Sequence, residues 1–129
     1  MATCVAFVGV WSTNVTQVRA AAVDAKHVAY SHLLVNAQEY SLFPSRATVP
    51  AGTVAVELWN RGEDPHDTEI RRLNIHGQMV GPVVGRMKVT APGRISNATW
   101  HLKVGKYELF CSLPGHLKLG MSARLRVTP

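Results

Sequence analysis

The chain has 129 residues, 47% of them hydrophobic, and carries 14 Lys and Arg against 8 Asp and Glu for a formal net charge of +6. This length suits one hydrophobic core and leaves no room for a second domain of ordinary size. Arg61, Arg71, Arg72, Arg86, Lys88 and Lys118 are scattered, with no run of interleaved basic and aromatic residues. That argues against a nucleic-acid partner and for encounter with acidic partners or anionic surfaces.

From the N-terminus, the first feature is the apolar run from Cys4 to Trp11, too short to span a bilayer. Residues 1–25 read either as an export signal or as an N-terminal extension kept in the fold. Ala20-Ala21-Ala22 or Val23-Asp24-Ala25 would supply a small-residue cleavage site, but no Lys or Arg precedes the apolar run. Residues 26–129 are expected to form the single domain. There, short runs rich in Val, Thr, Ile, Leu and Tyr alternate with turn signals at Pro50-Ala51-Gly52, Gly81-Pro82, Ala91-Pro92-Gly93 and Val104-Gly105. Helical periodicity is hard to find. Such punctuation predicts an all-β Greek-key sandwich of about seven to eight strands. Val54, Val56 and Leu58, and later Ala123, Leu125 and Val127, alternate as half-buried strands require, with Glu57, Arg124 and Arg126 turned to water.

Chemistry concentrates in two loops. Between the strand-like runs 106–110 and 122–127 lies Cys111-Ser112-Leu113-Pro114-Gly115-His116-Leu117-Lys118-Leu119-Gly120-Met121, a C-x4-H-x4-M spacing. One loop between two strands can aim thiol, imidazole and thioether at a single point. Sulfur plus imidazole suits copper that changes oxidation state, and two His, one Cys and a distant Met form the blue-copper ligand set. The second histidine is His66, in the Gly- and Pro-marked loop Asn60-Arg61-Gly62-Glu63-Asp64-Pro65-His66-Asp67 after the run 54–59, where it is expected to open the next strand. His66, Cys111, His116 and Met121 are thus the candidate metal ligands.

The pattern N-x-G-x3-H-D followed by Y-x-L-x-C-x4-H-x4-M resembles the cupredoxins, the small type 1 copper proteins. So do the stretch from Val35 to Pro44 and the Val49-Pro50-Ala51-Gly52-Thr53-Val54 turn. The likeness covers residues 28–128, and the loop spacing is similar to the longer-loop members, such as rusticyanin, auracyanin and sulfocyanin. The resemblance implies one type 1 copper per chain, cycling between Cu(II) and Cu(I), in a mobile one-electron carrier rather than an enzyme. It implies that Asp67 hydrogen-bonds around Ser112 and Cys111 and so ties the two ligand loops together, with Asn60 as a further supporting residue. It also implies that Leu113, Pro114, Leu117 and Leu119 form an apolar docking patch around His116. Redox partners with an acidic face, a periplasmic or extracytoplasmic location and a monomeric state are expected. Some extracellular relatives carry a disulfide. Here the cysteines are Cys4, outside the region of likeness, and Cys111, so no structural disulfide is expected within the domain.

Other functions have weaker support. A copper-handling protein would favour exposed Met- or His-rich sites, and a copper-free sandwich used for interaction would have no reason to keep four ligands. No His-x-His motif is present, which excludes the oxygen-reducing cluster of multicopper oxidases. A filled ligand set leaves no open position for substrate. His27, His32, His76 and His101 match no ligand position and read as surface or packing residues, and Trp59 and Trp100 as partly buried.

Overall fold

A computed structural model describes residues 30–129. The export-signal or extension reading of residues 1–25, and the assignments for Cys4 and His27, lie outside the described residues. Nine strands follow in order: β1 (Ser31–Gln38), β2 (Ser41–Pro44), β3 (Thr48–Pro50), β4 (Gly52–Asn60), β5 (Glu69–Leu73), β6 (Met79–Arg86), β7 (Ile95–Leu102), β8 (Gly105–Phe110) and β9 (Ser122–Thr128). They build two sheets, ordered β2-β1-β4-β7 and β3-β9-β8-β5-β6. The β1–β4 and β3–β9 pairs are parallel and the rest antiparallel. This is the expected all-β sandwich, with one or two strands more than anticipated. The excess is short: β2 and β3 have four and three residues and sit at sheet edges.

Alternation places the core. Leu33, Val35 and Ala37 of β1, Val54, Val56 and Leu58 of β4, and Leu125 and Val127 of β9 point inward and are buried. A one-residue slip would move any of these sets to the solvent face, so the register is strongly specified. Strand β8 is interior to its sheet, and from Tyr107 to Phe110 both its faces are covered.

One turn signal is overturned. Gly81-Pro82 lies inside β6 rather than between strands. Arg71 pairs with Val83 and Arg72 with Val80, so Gly81 and Pro82 are the two extra residues of a bulge. Strand β6 is an edge, where a proline's missing N–H donor is tolerated and a bulge discourages pairing with another chain. Gly81 has φ 69°, a conformation that glycine reaches without steric cost. At the far end of the same strand, Gly85 lies flat against Trp100. A Cβ there would stand 2.7 Å from the indole Cγ, Cδ1 and Cδ2.

Candidate metal centre

Three chain segments meet at one end of the sandwich: the β1–β2 turn, the segment between β4 and β5, and the β8–β9 loop. Cys111 leaves the end of β8 fully buried. Its N–H donates to Met121 O at 3.1 Å, and Met121 N–H donates to His116 O at 3.1 Å, so the foot of the loop is closed by backbone alone. Gly115 (φ 86°) and Gly120 (φ 98°) make the reversals that return the chain to β9. The thioether-bearing Met121 is fully buried in the same core cluster as Cys111.

His66 does not open β5, which begins at Glu69. It forms an isolated bridge with Thr90 instead: His66 N–H donates to Thr90 O at 3.1 Å and Thr90 N–H donates to His66 O at 2.7 Å. The Thr90 bridge thus fixes the histidine backbone. Asn60 braces the same region. Its Nδ2 donates to Asp64 O (2.7 Å) and Thr90 O (2.8 Å), and its Oδ1 accepts from Gly62 N–H (2.9 Å).

One donor atom each from His66, Cys111 and His116 lies within 4.8 Å of the others. The two Nδ1 atoms face each other at 3.3 Å, and Cys111 Sγ is 3.5 Å from His116 Nδ1. At most one proton fits between two such nitrogens, whereas a soft cation accepts lone pairs from both and from the sulfur. The donor set therefore fits copper or zinc chemistry. Burial pushes the Cys111 thiol above its ordinary pKa, so taking up a metal here releases a proton.

Asp67 spans the two loops: Ser112 N–H donates to Oδ1 at 2.7 Å and Ser112 Oγ to Oδ2 at 2.5 Å. The anticipated apolar patch divides. Leu113 packs partly buried against the core, while Pro114, Leu117 and Leu119 are exposed beside a half-buried His116, Leu119 by 60%. His32, His76 and His101 lie on the surface, Trp100 is buried and Trp59 is part-exposed.

Two residues of the β1–β2 turn join the site with no signal in the sequence. Tyr40 sets its ring edge-on to His116, centroids 5.0 Å apart. Glu39 Oε1 stands 3.0 Å from His66 Nε2 and also accepts the N–H groups of Glu63 and Asp64, each at 2.7 Å. Those donors, Asp64 N–H foremost, hold the Glu39 carboxyl at about 2, below the usual carboxylate range. A lone carboxylate in a turn carries no sequence signal. Only the folded chain brings it to a histidine 27 positions away.

No family model matches the chain, and no curated protein matches it in sequence. Solved structures do match in shape. Auracyanin from Roseiflexus castenholzii, reduced with dithionite, is 20% identical at a TM-score of 0.64, over 78% of this chain and 99% of that one. Rusticyanin from Thiobacillus ferrooxidans is 22% identical at 0.60, over 75% and 76%. Auracyanin A of Chloroflexus aurantiacus, described as a "blue" copper protein, is 15% identical at 0.59, over 75% and 98%. With its two-sheet architecture and a His-Cys-His group at one end, the chain has the cupredoxin fold.

Proposed function

We propose that this protein is a mobile one-electron carrier whose one type 1 copper per chain would be held by His66 Nδ1, Cys111 Sγ and His116 Nδ1, with the Met121 thioether as a weaker fourth ligand. The observation that carries this reading is the convergence of those two imidazoles and one thiol, within 4.8 Å of one another at the end of a cupredoxin sandwich. Bound copper would supply reversible cycling between Cu(II) and Cu(I).

The protein's own residues hold the donors still. Cys111 and His116 are fixed by the closed foot of their loop, His66 by the Thr90 bridge, and the two segments are joined through Asp67 and Ser112. A donor set that cannot relax keeps the reorganisation on electron transfer small. Burial of His66, Cys111 and Met121 excludes water and exchangeable ligands, which favours a carrier over an enzyme. His116 is the part-exposed member of the set, and Pro114, Leu117 and Leu119 around it form the docking face. The net charge of +6 favours acidic redox partners, cytochrome, oxidase or reductase, met in short-lived encounters. An extracytoplasmic location and a monomeric state complete the proposal. Among the described residues no helix is long and apolar enough to cross a membrane.

Repeated reduction with ascorbate and reoxidation with ferricyanide tests the carrier role. A carrier returns its full visible absorption over many cycles with the metal retained. Loss of metal on reduction would point to copper handling instead, and failure to bind copper would leave a sandwich used for interaction.

A further inference from the structure

Metal-binding histidines use one ring nitrogen for the metal, and what the other nitrogen touches fixes the tautomer and the basicity of the ligand. His66 is fully buried and its Nε2 meets a carboxylate, Glu39 Oε1, at 3.0 Å. That oxygen is itself held from the opposite chain segment by the Glu63 and Asp64 N–H groups. Gly62 makes the approach feasible: a Cβ on it would stand 2.7 Å from the Glu39 Cδ. Two backbone N–H donors thus converge on the oxygen that meets Nε2, and it serves them as an acceptor. An ionised carboxylate only accepts, so Nε2 must carry the ring proton. Nδ1 then presents its lone pair toward His116 and Cys111, before any metal arrives.

We propose that Glu39 is an anionic positioning residue of the metal centre, which locks His66 as the Nε2–H tautomer and places a fixed negative charge behind the ligand that favours the cupric over the cuprous state. This inference rests on the copper reading above for its redox half and on the apoprotein geometry alone for its tautomer half. Among the described residues no Lys or Arg forms an ion pair with the Glu39 carboxylate.

Two variants separate the parts. Glu39→Gln keeps a carbonyl acceptor for Nε2–H but removes the charge, and Glu39→Ala removes both. Nitrogen chemical shifts of His66 in the metal-free protein read the tautomer, and titrations with cupric and cuprous ion read the two affinities. Parent and E39Q should show Nε2–H alone, and E39A a mixture of tautomers. Cupric affinity of E39Q should fall about tenfold relative to cuprous, within the range seen on removing such outer partners, equal to a rise of about 59 mV in reduction potential. Unchanged affinity ratios in both variants, within about twofold, would overturn the charge role, and a pure Nε2–H tautomer in E39A would overturn the positioning role. If the parent protein itself gives no thiolate–copper absorption, the copper reading fails while the tautomer comparison still decides the positioning role.

Discussion

Replacing Asp67 by Ala should be among the most damaging single changes near the candidate metal centre, and its cost can be worked from two hydrogen bonds. The carboxylate, 6% exposed, accepts Ser112 N–H at 2.7 Å and Ser112 Oγ–H at 2.5 Å, and these bonds join segments 45 positions apart. Bonds to a charged group contribute roughly 1.5–3 kcal/mol each, and the hydroxyl bond, which Ser112 makes from an exposed position, belongs at the low end or below. D67A should therefore cost about 2–4 kcal/mol, a lowering of melting temperature on the order of 10 °C or more for a domain of this size. S112A loses only the hydroxyl bond and should cost about 1 kcal/mol. D67N can still accept the backbone N–H while its amide donates to Oγ, so it too should cost about 1 kcal/mol. Urea unfolding of the metal-free variants measures all three without interference from metal binding. A D67A variant within about 0.5 kcal/mol of the parent, or a D67N variant as damaged as D67A, would refute the view of Asp67 as the tie between the loops.

Gly85→Ala should destabilise by about 1–3 kcal/mol, because its Cβ would press on the buried Trp100 ring at 2.7 Å; a gain in denaturant midpoint, the ordinary result of adding a methyl to a strand glycine, would contradict that. Glu39 is held at about 2 against an ordinary 4.5, so its contribution to apoprotein stability is complete above pH 4.5 and is lost as pH falls toward 2. Acid unfolding of E39Q should then converge on that of the parent across this window, and a constant gap down to pH 2 would count against the depressed pKa. Leu119→Glu, at a site 60% exposed, should leave stability within about 0.5 kcal/mol yet slow electron exchange with an acidic partner roughly severalfold in stopped flow; an unchanged rate removes Leu119 from the docking face.

The two loops that carry His66, Cys111, His116 and Met121 were legible because the signal is local: residue type and spacing mark the candidate donors, and Pro and Gly mark the loops. The inward residues of β1, β4 and β9 were legible for a similar reason, since period-two alternation is written into consecutive positions. What was hidden depends on long-range pairing. Gly81-Pro82 looked like a turn because the signal is the same in a turn and in an edge-strand bulge, and only the pairing of β6 with β5 separates them. His66 was expected on a strand, and its bridge to Thr90, 24 positions on, replaced that ladder. Glu39 and Tyr40 entered the site through the β1–β2 turn, where neither residue type nor spacing announces a role. Leu113 and Leu119 share one loop, but the fold turns one toward the core and the other toward water.

A single copper held by a cysteine thiolate and two imidazoles is tested most directly by titrating the purified protein with cupric ion, followed by visible absorption and paramagnetic resonance. An intense thiolate-to-copper band with a narrow copper hyperfine splitting, saturating at one metal per chain and absent in Cys111→Ser, is the predicted result. A pale tetragonal copper spectrum, or a band that survives in C111S, would contradict it.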